Sequence, residues 1–182
     1  MAITTYTKTT PIGIDVPIQK CQNRLADSST GLSWASADIY GRLYLNKNKD
    51  KEITAEAHKS GSEYRDIFVN DKLAGVIGFV VDTNRDSMKG TQKCNVTLVC
   101  SVKLDKIYLN ATERKDEEAL QEVLRILHSI GGWTIKDMIA GNIDDVFTFM
   151  STKKITFRDM QPYANFSIKC SVNYNNNICK IL

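Results

Sequence analysis

The sequence predicts an α+β fold: a mainly antiparallel sheet packed against one long amphipathic helix, with an N-terminal arm and a short helix. Three consecutive patterns between Cys94 and Tyr174 carry that prediction. Val96, Leu98, Cys100, Val102 and Leu104 alternate with Thr97, Val99, Ser101 and Lys103, the period of a strand with one buried face. Leu120, Val123, Leu124, Leu127 and Ile130 then recur at spacings of three and four, which lines one side of a helix. Ala164, Phe166, Ile168, Cys170, Val172 and Tyr174 alternate with Asn165, Ser167, Lys169, Ser171 and Asn173, a second long strand. Strands of this kind bury their apolar side most simply under a helix.

The first residues, through Thr10, are rich in threonine. They read as an arm, extended or disordered until it meets a partner. Asp15 ahead of Val16-Pro17 reads as an N-cap, and Ile18, Cys21 and Leu25 repeat at three and four, so a short helix runs to about Asp27. Between Ile39 and Leu45, the residues Ile39, Gly41, Leu43 and Leu45 alternate with Tyr40, Arg42 and Tyr44, a strand that sets both tyrosines and the arginine on one face. Residues 46–52 are Asn, Lys, Asp and Glu almost throughout, a solvated loop or hairpin tip. Tyr64 to Val69 and Leu73 to Val81 read as β-rich runs around the turn at Asn70-Asp71-Lys72. Residues 82–93 are polar and read as a long loop, a candidate contact.

The helix runs from roughly Thr112 to Ile130. Asp116, Glu117 and Glu118 stand at its start and Arg125 and His128 near its end, the order its dipole favours, and Gly131-Gly132 stops it. Trp133 to Ala140 reads as a short strand or turn, and Asn142 to Met150 as a short helix or a strand. Ile155 and Phe157 sit in an expected strand that Pro162 interrupts before the last strand begins. The whole reads as one domain, with an arm over 1–14, a body over 15–174 and a tail over 175–182.

Composition narrows the function. The chain of 182 residues is 42% hydrophobic and 25% charged, values of an ordinary globular protein. A net charge of +3, evenly spread, predicts no nucleic-acid patch, because phosphate affinity needs clustered Lys and Arg. No secretory signal is expected, since MAITTYTKTTPIGID has no apolar core behind a basic end, and no apolar run approaches a membrane span. The five cysteines, Cys21, Cys94, Cys100, Cys170 and Cys179, are odd in number and lack CxxC spacing, so they read as free thiols.

No reaction is legible. The histidine bases available are His58, in a polar stretch, and His128, at the edge of the helix's apolar face. No nucleophile elbow, zinc-protease or phosphate-loop motif occurs. Asp116-Glu117-Glu118 and Asp144-Asp145 fit helix starts better than a cation site. The expectation is therefore a non-enzyme with no catalytic, cofactor-binding or metal-ligating residues. Candidate contacts are Thr4, Tyr6 and Lys8 of the arm, Tyr40, Arg42 and Tyr44 of the strand, Lys47 and Lys49 of the tip, and Arg85 and Lys89 of the 82–93 segment.

The order of elements, with the runs Ser101-Val102-Lys103-Leu104-Asp105-Lys106-Ile107-Tyr108 and Met160-Gln161-Pro162-Tyr163, resembles the tail-terminator and head-tail connector proteins of tailed bacteriophages. It looks most like the neck or tail ring components of crAss-like phages infecting Bacteroides, over most of Ile14 to Tyr174. The resemblance implies a virion protein, present in the host cytoplasm during assembly, whose copies form a ring of six or twelve around the DNA channel. It implies neighbouring portal, connector or tail proteins as partners, DNA passing without sequence-specific contact, no membrane and no catalytic residues. An intracellular nucleic-acid-binding module and a cysteine-dependent enzyme using His128 are the alternatives.

Overall fold

A computed structural model of the chain describes residues 2–59, 61–88 and 90–175. In chain order the elements are β1 (Ile3–Thr5), α1 (Asp15–Leu25), β2 (Ala37–Lys47), β3 (Ile53–Lys59), β4 (Ser62–Tyr64), β5 (Gly75–Met88) and β6 (Thr91–Lys103). There follow α2 (Leu104–Ile107), α3 (Asp116–His128), β7 (Trp133–Gly141), α4 (Ile143–Val146), a 3-10 helix over Thr156–Asp159, and β8 (Tyr163–Asn175). The strands form one sheet in the order β4-β3-β2-β5-β6-β8-β7, with β1 beside the start of β2. The pairings of β2 with β1 and with β5 are parallel and the others antiparallel.

The two alternating strands read from the sequence are neighbours. β6 pairs with β8 without a break from Thr91↔Asn175 to Lys103↔Tyr163, which sets Val96 opposite Cys170, Leu98 opposite Ile168 and Cys100 opposite Phe166. These residues share a face because side chains alternate along each strand. Their face is the floor of the larger core, roofed by Ile18, Cys21 and Leu25 of α1 and by Leu120, Val123, Leu124, Ile126 and Leu127 of α3. At about 1.5 to 3 kcal/mol for each large apolar side chain removed from water, the α3 residues are a principal source of stability. Two helices share this work. The one long helix expected over 112–130 is a 13-residue helix that begins only at Asp116 and ends at His128, beside an 11-residue α1. Residues before Asp116 stay out of the helix, where Lys115 is engaged with Glu113 and Glu118.

A second core lies on the opposite face, with Leu43, Val76 and Val99 under Ile67, Phe68, Val146, Phe147 and Ile155. Beside it Arg158 is 1% exposed, with Nη1 donating to Ser101 Oγ at 3.1 Å and Nη2 to the Asn70 carbonyl at 2.7 Å. Its guanidinium also stands 5.0 Å from the Tyr163 ring centre. Burial pulls its pKa down, against the opposing pull of Tyr163 and Asp71. These contacts tie the turn before β5 to the segment before β8.

Several expectations are corrected. The arm is not free, since Ile3–Thr5 adds to the sheet against Ala37–Ile39. Asp15 is not the N-cap. Ile14 holds that position without a side-chain bond, and the Asp15 carboxylate takes the Lys8 ammonium instead. Residues 82–93 are not a long loop but the far end of the β5–β6 hairpin, which pairs out to Met88↔Thr91. Ile155 and Phe157 do not lie in a strand, for the chain there turns through the 3-10 helix. Residues 53–59 form a strand that the sequence reading left out. The tail over 176–182, with Cys179, and Lys89 lie outside the described residues.

Candidate assembly surfaces

The arm and its seat form the densest polar cluster on the candidate residues. β3 pairs with β2 only from Tyr44 onward, so the first half of β2 has an open edge that β1 fills. Beyond β1 the Tyr6 N–H donates to the Ile39 carbonyl at 3.0 Å. Gln22, buried on α1, donates through Nε2 to the Tyr6 carbonyl at 3.1 Å and to the Ile39 carbonyl at 3.0 Å. The Tyr6 ring stacks on Tyr40 at 4.8 Å between centres, and Tyr40 stacks on Tyr64 at 6.1 Å. Beneath them lies Asp38, 6% exposed. Its carboxylate accepts from Tyr40 Oη at 3.1 Å and Tyr6 Oη at 3.3 Å, with the Lys59 ammonium 3.8 Å away.

Each member of the cluster has a physical reason to be there. A buried carboxylate needs donors to offset its lost hydration, and two phenols with one ammonium supply them. Burial, and then Asp38, push the Tyr40 phenol well above the usual tyrosine value, so it stays a donor. Burial pulls Lys59 down, but Tyr6 and Asp38 outweigh it and hold the ammonium above its ordinary value. Lys59 also lies 4.5 Å from the Tyr64 ring centre and 4.9 Å from that of Tyr6, within cation–π range. Lys8 closes the far end, pairing with Asp15 at 2.5 Å and donating to Tyr44 Oη at 3.4 Å. A cavity of about 20 Å³ remains beside it, lined by Tyr6, Lys8, Gln22, Tyr44 and His58, room for a single water.

Other candidates separate from this cluster. Tyr40, Arg42 and Tyr44 do not share a face. The pairing of β2 with β5 slips between Ile39 and Arg42, a bulge after which Leu43 joins Tyr40 on the side of the second core while Gly41 faces Gln22 of α1. A stacking platform for bases therefore has no continuous surface, as Tyr40 is 1% exposed. Arg42 instead covers the Tyr44 ring at 5.0 Å. Lys47 and Lys49 are exposed at the β2–β3 turn, which Asn48 Oδ1 fixes by accepting from the N–H groups of Asp50 and Glu52, each at 2.9 Å. Arg85 is exposed on the distal β5–β6 hairpin, and Thr4 is exposed on β1. Lys89 lies outside the described residues. Asp38, Lys59, Tyr64 and Gln22 are the members of the cluster that sequence reasoning missed, and no motif marks them.

Further surfaces are open. β7 is an edge strand with Met138 48% and Ile139 41% exposed, blunted by a register shift between Ile135 and Asp137. A cleft of about 320 Å³ beside β7 is lined in part by Asp82, Asp137, Asp145 and Lys169, with the Lys169 ammonium 3.9 Å from the Asp82 carboxylate. Among the described residues no group of His, Cys, Asp and Glu is placed to hold a metal ion. Cys21, Cys100 and Cys170 are buried in the larger core, and burial raises all three thiols, Cys170 to about 11. A nucleophilic thiol needs the opposite shift. His128 and His58 are both exposed.

Comparison with known protein families, with curated proteins and with solved structures finds no match. Function has to come from the residues and their placement. Among the described residues no helix is long and apolar enough to cross a membrane.

Proposed function

We propose that this chain is a structural, non-enzymatic subunit that forms a ring with copies of itself in the neck or tail of a tailed phage, joining portal and tail around the DNA channel. The observation that carries the reading is a well-packed sheet body from which recognition elements extend. They are a docked N-terminal arm, a charged β2–β3 turn and a β5–β6 hairpin whose residues 83–87 are exposed. Long hairpins and arms on a rigid body suit contacts repeated between identical neighbours. Neighbouring portal, connector or tail proteins are the remaining partners, and DNA passes the lumen without sequence readout. The assignment to phages rests on the resemblance of element order and of the 101–108 and 160–163 runs, and the place of action would be the virion, after assembly in the host cytoplasm.

Electron micrographs of the purified chain test this reading. Rings with six- or twelve-fold symmetry are expected. Isolated particles of single-chain size at every concentration, or turnover of a small molecule, contradict it.

A further inference from the structure

We infer that the seat holding the arm is an intersubunit site, and that in the assembled protein residues 3–8 of one copy occupy the seat of the next. The inference rests on the ring reading above and names the contact that closes the ring. Four observations lead to it.

Much of the seat is held by the body's own contacts. Tyr40 Oη donates to Asp38, Lys59 pairs with Asp38, Tyr40 stacks on Tyr64, and Gln22 donates to the Ile39 carbonyl, all contacts within the body. The arm adds backbone pairing at Ile3–Thr5, the Tyr6 ring and hydroxyl, and the Lys8 ammonium. A strand laid on an open edge with a single aromatic anchor is a recurring mode of peptide capture. Its affinity comes from the peptide's chemistry, whichever copy supplies it.

The connection to the body is built to turn. Residues 9–14 join Lys8 to α1, Gly13 sits at φ +61°, and Ile12 is 54% exposed. Ile14 is anchored in the larger core, and the five residues 9–13, straightened, reach about 16 Å at about 3.3 Å each, so the arm can part from its own seat without moving α1. Exchange of an identical segment replaces every bond it breaks, so it costs little within a symmetric ring. The other open edge, β7, suits a neighbour's strand less well because of its register shift.

The Lys8–Asp15 pair reports on exchange directly, since at 2.5 Å a carbodiimide joins the two side chains by an amide bond with loss of water. Equal amounts of the unlabelled and the ¹⁵N-labelled full chain are mixed in dilute solution, concentrated to assemble, sized by light scattering, cross-linked and digested. If arms are exchanged, Lys8–Asp15 links join labelled to unlabelled peptides as often as like to like, and covalent multimers appear on a denaturing gel. Rings whose Lys8–Asp15 links are all within one isotope, or that yield no such link, overturn the exchange and leave the ring reading standing. Failure to assemble at all overturns both. A Tyr6→Ala chain serves as a second readout, with mixed links expected to fall several-fold while the circular dichroism of the body is unchanged.

Discussion

Gly75 has no room for a side chain. A Cβ there would meet Trp34 Cζ3 at 2.4 Å, and Trp34 is held in place by its Nε1 donating to Glu122 Oε2 at 2.9 Å. Gly75→Ala should therefore cost about 1 to 3 kcal/mol through overpacking, read as a drop of the melting temperature with the fold retained. Asp27 is half-buried at the exit of α1. Its Oδ1 accepts from Ser29 Oγ and N–H and from the Thr30 N–H. Those bonds, the Ser29 hydroxyl foremost, hold its folded pKa well below the ordinary carboxylate value. Folding then favours the ionised form, so the contribution is complete above the unfolded pKa of about 3.9 and fades as pH falls toward the folded value. Asp27→Asn should lower the melting temperature at neutral pH and flatten the acid limb of a melting-temperature-against-pH curve, the variant and the parent converging as pH falls. The thiols give a third expectation. With Cys21, Cys100 and Cys170 buried and their pKa values raised, iodoacetamide at pH 7.5 should leave all three unmodified in the native protein and label them after denaturation. Fast labelling of one of them, followed by peptide mass spectrometry, would revive the cysteine-enzyme alternative.

At the scale of elements, the arm is where sequence and structure part most usefully. Deleting residues 2–10 removes β1, the Tyr6 and Lys8 contacts and the packing of Ile3 and Tyr6 against the edges of the two cores, but no fully buried core residue, the first of which is Ile14. The truncated chain should keep its circular dichroism spectrum, lose some thermal stability because Asp38 is left with fewer donors, and assemble poorly. Full assembly of the truncation would count against the arm's role. β6, α3 and β8 were legible because each buries one clean face, so the period survives in the sequence. The second layer was not, because its side of β6 and β8 carries Ser101, Asn165 and Ser167, buried yet polar. The hairpin beyond Asp82 was hidden for the opposite reason: with residues 83–87 exposed, nothing selects apolar residues there. β3 presents only Ala55 and Ala57 to the core, too little for a strand signal. The seat was invisible because a bulge near Gly41 puts Leu43, and not Arg42 or Tyr44, on the face of Tyr40, and a one-residue slip exchanges faces without any change of composition.

For the whole molecule, the central claim is that a rigid two-layered body presents an arm, a turn and a hairpin to copies of itself. One chain weighs 20.5 kDa. The most direct test is the mass of the purified full chain in solution by light scattering across a concentration series. The account predicts a species of six or twelve chains that becomes dominant as concentration rises, and a single-chain mass at every concentration would contradict it.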